Sequence, residues 1–141
     1  MMIISKSPTE TSNLGLKLAK KASTGDIYSL IGDLGSGKTH FTKGFAKGLG
    51  LKTTINSPSF ILMKIYKIKD KKIKYFCHVD AYRLKRPEEI IEIGLEEYLS
   101  RGDTIVVIEW ADKLKHFLKS YKQKFINFTF IDKNIRKIKI T

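Results

Sequence analysis

The residues with the clearest chemical meaning lie in residues 32–39, the stretch GDLGSGKT. Gly32, Gly37, Lys38 and Thr39 fit the pattern of a glycine, four further residues and Gly-Lys-Ser/Thr. A glycine-rich backbone can turn its N–H groups toward phosphate, and the helix that follows adds its favourable dipole end. Lys38 would neutralise the β- and γ-phosphates from a position exposed to the crevice, and the Thr39 hydroxyl could bind Mg²⁺. The stretch therefore predicts a phosphate-binding loop.

Two acidic residues follow strand-like runs and could complete a metal site beside this loop. Asp80 ends the run KYFCHVD, and Glu109 lies near the end of TIVVIEW. The carboxyl ends of strands in a doubly wound sheet face the crevice where ligands bind, although acids at strand ends are also common as caps. We therefore predict Lys38, Asp80 and Glu109 as catalytic residues, with Mg²⁺ held by Thr39, Glu109 and Asp80.

The elements that must position these side chains alternate between helical and strand patterns. They are, in chain order, a helix in residues 7–23, a strand in 26–31, a helix in 38–50, strand-like runs in 57–68 and 72–80 that could pair as a hairpin, a helix in 88–100 broken or tightened near Gly94, a central strand in 104–110, a short helix in 112–118 and a closing antiparallel pair in 124–132 and 135–140. Phe41 and Phe45 fall on one helix face and are predicted to belong to the core.

Composition limits the class of protein. The chain has 141 residues, 42% of them hydrophobic and 29% charged, which is typical of one globular domain spanning residues 1–141. The apolar runs are far shorter than the roughly 20 residues of a membrane span, and the N-terminal stretch lacks a signal-peptide pattern. We therefore expect a cytoplasmic protein with no membrane association. The only cysteine, Cys77, is expected in a buried strand.

A formal net charge of +13 raises the question of whether the protein binds nucleic acid. The excess is carried almost entirely by lysines, with arginine only at Arg83, Arg86, Arg101 and Arg136. Lysines scattered over solvated surfaces explain the same charge, so direct contact with RNA stays an open alternative.

Four stretches, taken in order, resemble one family. GDLGSGKTHF, SPSF, HVDAYRL and IEW are similar to the corresponding motifs of the bacterial tRNA threonylcarbamoyladenosine biosynthesis ATPases of the TsaE (formerly YjeE) family. The resemblance covers essentially the whole chain and implies a P-loop NTPase fold of the α/β class, with a mixed, mainly parallel sheet, flanking helices and antiparallel edge strands. It also implies slow hydrolysis of ATP with Mg²⁺.

The resemblance further implies partners and contacts. The partners would be two sugar-kinase-fold proteins of the TsaB and TsaD types, which modify the adenosine beside the anticodon of tRNAs that read ANN codons, with tRNA contacted indirectly. Near the base end, Thr9 and Thr11 would approach adenine, and Arg136 would lie near the nucleotide. The full set of implied nucleotide contacts is Thr9, Thr11, Asp33, Leu34, Gly35, Ser36, Gly37, Lys38, Thr39, His40, Ser59 and Arg136; of these, His40 has no motif around it and equally fits a surface position.

Other motif positions take their roles from the same resemblance. Residues 57–60 would form a switch-like loop that senses the γ-phosphate, with Ser59 in place of the usual threonine. His78 and Tyr82 belong to the second motif, and Arg83 could offset phosphate charge or form a buried structural ion pair. Trp110 follows the acid as in the family, but Ala111 and Asp112 replace the usual Pro-Glu.

Two other function classes compete with this interpretation. A small-molecule kinase could use the same loop, but kinases usually hold phosphates with several arginines, and the chain has only four. A nucleic-acid-binding module is favoured by the net charge, but the basic runs lack interleaved aromatic residues of the RNA-recognition type.

Overall fold

The computed structural model describes residues 1–53, 55, 63–70 and 72–141, in which strands and helices alternate. The elements are β1 (Met2–Ser5), α1 (Pro8–Lys21), β2 (Ile27–Ile31), α2 (Lys38–Gly48), β3 (Met63–Lys67), β4 (Tyr75–Asp80), α3 (Glu88–Glu92), α4 (Leu95–Leu99), β5 (Thr104–Glu109), a 3₁₀ helix (Ala111–Leu114), α5 (Lys115–Leu118), β6 (Lys124–Phe130) and β7 (Arg136–Ile140).

The strands form one seven-stranded sheet in the order β1-β7-β6-β2-β5-β4-β3. In its middle, β2 runs parallel to β5 and β6, and β4 runs parallel to β5. The outer pairs, β3 with β4, β6 with β7 and β1 with β7, are antiparallel. Every residue of β5 is buried, as expected for an uninterrupted apolar strand covered on both faces. The predicted α/β fold with antiparallel edges is confirmed.

Two local features differ from the sequence-based expectation or refine it. β1 was not predicted, because its four residues are too few to show periodicity and they gain their partners from β7, at the far end of the chain. The helix expected in residues 88–100 consists of α3 and α4, separated at Gly94 by a backbone φ of 83°. The break predicted near Gly94 is therefore confirmed. The first part of the expected strand at 57–68 lies outside the described residues.

Helices cover both faces of the sheet, and each face has its own cluster of buried hydrophobic residues. On one face, α1 and α2 pack over the sheet, with Phe41 and Phe45 fully buried, which confirms their predicted core position. On the other face, α3, α4 and α5 cover a second cluster that includes Cys77, whose exposed fraction is 0%. The buried position predicted for Cys77 is confirmed, and burial raises the pKa of its thiol to about 12. Within the described ranges, no helix has both the length and the apolarity to cross a bilayer.

Glycines allow α1 and α2 to approach each other very closely. A Cβ built on Gly44 in α2 would overlap the carbonyl oxygen of Ser12 in α1, and one built on Gly15 in α1 would overlap the carbonyl oxygen of Phe41. At Gly48 a Cβ would lie 2.5 Å from the carbonyl oxygen of Leu16. Glycine inside a helix has an entropic cost, so these positions are explained by close packing of the two backbones.

Replacing Gly44 with alanine should destabilise the protein by roughly 3 kcal/mol, because the added methyl group forces α1 away from α2. The measurement is the free energy of unfolding in urea. Gly102→Ala is the control, since a Cβ there meets nothing within 4 Å, and its effect should stay within about 0.5 kcal/mol. Equal effects of the two substitutions would contradict the close packing described above.

Candidate functional site

The loop between β2 and α2 has a backbone that requires glycine at three positions. Gly35 and Gly37 have φ angles of 76° and 104°, in the left-handed region, and Gly37 is the N-cap of α2. A Cβ on Gly32 would lie 2.6 Å from the Ser36 hydroxyl and 2.7 Å from the carbonyl oxygen of Phe128. The spacing of glycines in the sequence therefore has a direct geometric cause, and the loop places the N-terminus of α2 at the carboxyl ends of the strands.

The ammonium group of Lys38 is folded back onto this loop. It donates to the carbonyl oxygens of Gly32 and Asp33, the latter at 2.8 Å, and to the Ser36 hydroxyl at 3.1 Å. It also lies 4.2 Å from the centroid of the Trp110 ring. The residue is only 4% exposed, so the expectation that it is exposed to the crevice was wrong. The loop carbonyls and the electron-rich ring face are thus the partners of the ammonium, and burial lowers its pKa.

Asp80 and Glu109 lie side by side, because β4 and β5 are parallel and these two residues are register partners. One carboxylate oxygen of Glu109, Oε1, accepts a hydrogen bond of 3.1 Å from the Thr39 hydroxyl. Asp80 accepts a bond of 3.0 Å from the backbone N–H of Tyr82. Burial raises the pKa of the Asp80 carboxyl, and the neighbouring Glu109 carboxylate acts in the same direction, while the Tyr82 N–H opposes it.

The oxygen atoms gathered here fit Mg²⁺ in the way that phosphate-binding proteins use it. Thr39, Glu109 and Asp80 offer one hydroxyl and two carboxylates, which are the hard ligands that Mg²⁺ prefers. In the part of the chain that the structure describes, no group of three or more His, Cys, Asp and Glu residues could enclose an ion. This donor set therefore suits an ion that takes its remaining ligands from phosphate oxygens and water.

A cavity of about 380 Å³ lies above these residues. The loop and both carboxylates form part of its wall, and the start of α1 and the turn between β6 and β7 complete it. Its lining within the described residues is Ser7, Pro8, Thr11, Leu34, Gly35, Ser36, Gly37, Lys38, Thr39, His40, Asp80, Tyr82, Arg83, Glu109, Trp110, Lys133, Asn134 and Arg136. The structure thus brings most of the predicted site residues to one cavity.

Not every predicted residue has the expected position. Thr11 is buried, lines the cavity and has its hydroxyl 2.7 Å from that of Ser5, whereas Thr9 is exposed and outside the lining. Asp33 is exposed at the edge of the loop, and His40 is exposed but lines the cavity. Arg83 lines the cavity and is exposed, so the predicted burial of a structural ion pair at this position was wrong. Ser59, with the whole segment 57–60, lies outside the described residues.

Arg136 connects the loop to the opposite side of the cavity. Its Nη2 and Nε atoms donate to the carbonyl oxygen of Gly35 at 2.9 and 3.2 Å, and its Nη1 donates to that of Asp132 at 2.6 Å. The guanidinium also lies 4.4 Å from the centroid of the Phe130 ring. The residue predicted to lie near the nucleotide is therefore at the cavity, where it ties the β6–β7 turn to the loop.

Trp110 has the only left-handed backbone of a non-glycine residue in the described ranges, with a φ of 59°. This conformation is strained for a bulky side chain, and such strain is concentrated at functional sites. The indole ring is 5.1 Å from that of Tyr82, centroid to centroid, and it covers the Lys38 ammonium. The turn after Glu109 thus places the Trp110 ring, together with that of Tyr82, beside the carboxylates of Asp80 and Glu109. The chain then continues into the 3₁₀ helix that begins at Ala111.

Four residues of the described lining were not predicted from the sequence: Ser7, Pro8, Lys133 and Asn134. Ser7 had a usable signal, because it is the N-cap of α1 and accepts a bond from the Glu10 N–H, and helix starts lie at the same sheet edge as the loop. Lys133 and Asn134 lie in the β6–β7 turn and belong to no motif, so only the folded chain reveals them.

A glycine-rich loop between a buried parallel strand and a helix, with acids ending the two neighbouring strands, defines a P-loop protein of the α/β class. The sequence profile of the family described as "Threonylcarbamoyl adenosine biosynthesis protein TsaE" matches residues 5–138. The chain belongs to the TsaE family.

Individual proteins support the same assignment. The chain is 38% identical over 119 residues to the tRNA threonylcarbamoyladenosine biosynthesis protein TsaE of Bacillus subtilis (strain 168), covering 84% of this chain and 72% of that protein. It is 40% identical over 139 residues to the protein of the same name from Rickettsia bellii, covering 98% of this chain and 92% of the relative. A solved structure described as "Crystal structure of Bacillus subtilus YdiB" superposes with a TM-score of 0.72 at 32% identity, covering 98% of this chain and 82% of that one.

Proposed function

We propose that this chain is a Mg²⁺-dependent ATPase subunit of the machinery that makes threonylcarbamoyladenosine in tRNAs reading ANN codons. The observation that carries the proposal is the meeting of Lys38, Thr39, Asp80 and Glu109 at one end of the cavity. A phosphate-binding loop alone would support only nucleotide binding. The paired carboxylates beside the Thr39 hydroxyl add the metal ligands and the acid that hydrolysis requires.

The residues have separate roles in this proposal. The loop residues 33–39, with His40 at its edge, hold the phosphates through backbone N–H groups and the start of α2. Thr39 and Glu109 hold Mg²⁺, which when bound supplies neutralisation of charge on the phosphate oxygens. Asp80, whose pKa is raised by burial, lies beside the site and positions the attacking water, directly or from the second coordination shell.

Lys38 changes partners when a nucleotide enters. Its ammonium now donates to the carbonyls of Gly32 and Asp33, and phosphate oxygens are stronger acceptors because they are charged. Moving the ammonium onto the phosphate would release these carbonyls and remove it from the face of Trp110. In this way, binding of a nucleotide in the cavity is linked to the arrangement of the loop and of the Tyr82 and Trp110 rings. Such a link suits a nucleotide-operated component with slow turnover.

The partners in this proposal are two sugar-kinase-fold proteins of the TsaB and TsaD types. Relatives of this chain carry the pathway in their names, and the cavity of about 380 Å³ has the dimensions of a small-molecule site. We propose that tRNA is reached through the partners and that the assembly works in the cytoplasm.

ATP hydrolysis with Mg²⁺ should increase at least tenfold when both partner proteins are added together, a decrease of about 1.4 kcal/mol in the barrier. The reason is that partner binding fixes the loop and water arrangement that the isolated chain samples rarely. The measurement is steady-state phosphate release, with the partners alone as the blank.

Unchanged turnover with both partners would contradict the assignment to the modification assembly. Transfer of the γ-phosphate to a nucleoside or nucleotide in preference to water would instead favour the kinase alternative. These two results are distinguished by separating free phosphate from phosphorylated acceptors in the same reaction.

A further inference from the structure

His78 lies fully inside the protein at the side of the proposed metal site. It is on β4 two residues before Asp80, so both side chains are on the same face of the strand. Its Nε2 atom is 2.6 Å from Oε2 of Glu109, and the two side chains are only 1% and 2% exposed. Its other ring nitrogen, Nδ1, is buried and has no hydrogen-bond partner among the described residues.

The role of Glu109 as a metal ligand decides which atom is the donor. A ligand of Mg²⁺ is an ionised carboxylate and can only accept, so in the proposed site Nε2 of His78 carries the proton of the 2.6 Å contact and donates it to Glu109. The opposite tautomer would place two acceptors against each other in a buried site. Glu109 therefore has both oxygens bound, Oε2 by His78 and Oε1 by the hydroxyl of Thr39 at 3.1 Å.

The unpartnered Nδ1 atom indicates why an imidazole is present at all. A buried polar atom without a hydrogen bond is destabilising and calls for an explanation, and a phenyl ring would fill nearly the same volume without that cost. The neighbouring ring of Phe76, on the same face of β4, is such a group. The gain that offsets the cost at position 78 is therefore the hydrogen bond to Glu109, the one that His78 makes among the described residues.

We propose that His78 is a positioning residue: it holds one carboxylate oxygen of Glu109 so that the other points toward Thr39 and the Mg²⁺ that these residues would bind. This inference rests on the proposed function, and in it His78 contacts neither the nucleotide nor the ion. A glutamate side chain has several rotatable bonds, and a single bond from Thr39 would leave the carboxylate free to turn. A second donor fixes the carboxylate, as supporting hydrogen bonds do for metal ligands generally.

The test is binding of a non-hydrolysable ATP analogue, measured by calorimetry with saturating Mg²⁺ and again in EDTA. In His78→Phe, the gain in affinity due to Mg²⁺ should fall by roughly 10- to 100-fold, while the affinity in EDTA stays unchanged. His78→Gln should keep most of the gain, because its amide nitrogen can reach the position of Nε2. Cys77→Ala is the matched control, since it changes a buried side chain of the same strand in the cluster of the opposite face and should leave the Mg²⁺-dependent gain intact.

Two results would overturn the proposal: a full Mg²⁺-dependent gain in His78→Phe, or an equal loss of affinity with and without Mg²⁺, which is the sign of a purely structural role. If His78→Phe does not fold, His78→Asn replaces it, because the asparagine amide reaches the position of Nδ1 and not that of Nε2. His78→Asn should then lose the gain that His78→Gln keeps, and equal behaviour of these two variants would also overturn the proposal. A wild-type protein without any Mg²⁺-dependent gain would instead refute the proposed function itself.

Discussion

Replacing Lys38 with alanine is expected to reduce ATP hydrolysis by roughly 100- to 1,000-fold, the loss typical of removing one group that stabilises developing negative charge. Lys38 is the cation of the loop, and its ammonium, which donates to the Gly32 and Asp33 carbonyls, would turn from them to the phosphate in the proposed function. Turnover is measured with saturating Mg²⁺ and ATP, in the presence of the partner proteins. Far-UV circular dichroism should remain that of the wild type, because the sheet and α2 do not depend on this ammonium.

The control for that substitution is Lys43→Ala. Lys43 is also on α2, but it is exposed and lies outside the cavity lining, so turnover should stay within about twofold of the wild type. A loss in both variants would point to a general effect of charge on α2. Unchanged turnover in Lys38→Ala would refute the assignment of this loop as the phosphate-binding element.

Replacing Glu109 with alanine should impair Mg²⁺-dependent turnover more than replacing Asp80 does, by roughly 100-fold against roughly tenfold. Glu109 is bonded at both carboxylate oxygens, to Thr39 and to His78, whereas the hydrogen bond found for Asp80 comes from the backbone N–H of Tyr82. Loss of Glu109 therefore removes a proposed metal ligand and the partner of the Thr39 hydroxyl together. The measurement is the dependence of turnover on Mg²⁺ concentration for both variants.

Alanine at position 109 also removes the Glu109 carboxylate that pairs with His78, so the comparison needs variants that keep the side-chain volume. Glu109→Gln and Asp80→Asn remove the charge and retain the volume, and the same order of effects is expected. The reverse order would identify Asp80 as the principal metal ligand and assign Glu109 to a supporting position.

Much of the site could be predicted because it depends on short-range chemistry. The glycine spacing before Lys38 has a local cause in the φ angles of Gly35 and Gly37, and that cause is readable from eight residues. The pairing of Asp80 with Glu109 also followed from two apolar runs that each end in an acid, because parallel strands align their carboxyl ends.

The rest depends on contacts between distant parts of the chain. β1 exists only because β7 offers it an edge, and the bond from Arg136 to the Gly35 carbonyl joins residues 101 positions apart. The burial of Lys38 could not be predicted either, because a lysine in a glycine-rich loop gives no sign that Trp110 will cover it. In the same way, the sequence motif containing His78 did not reveal that its ring would meet Glu109.

The backbone contact between α1 and α2 has a consequence for ligand binding. Both helices begin at the cavity, α1 with Ser7, Pro8 and Thr11 in the lining and α2 with Lys38. Because Gly15 and Gly44 bring the two helix backbones into contact, the relative position of these two helix starts is set by packing within the protein. This part of the cavity wall is therefore pre-organised, and little ordering entropy is lost there when a ligand binds.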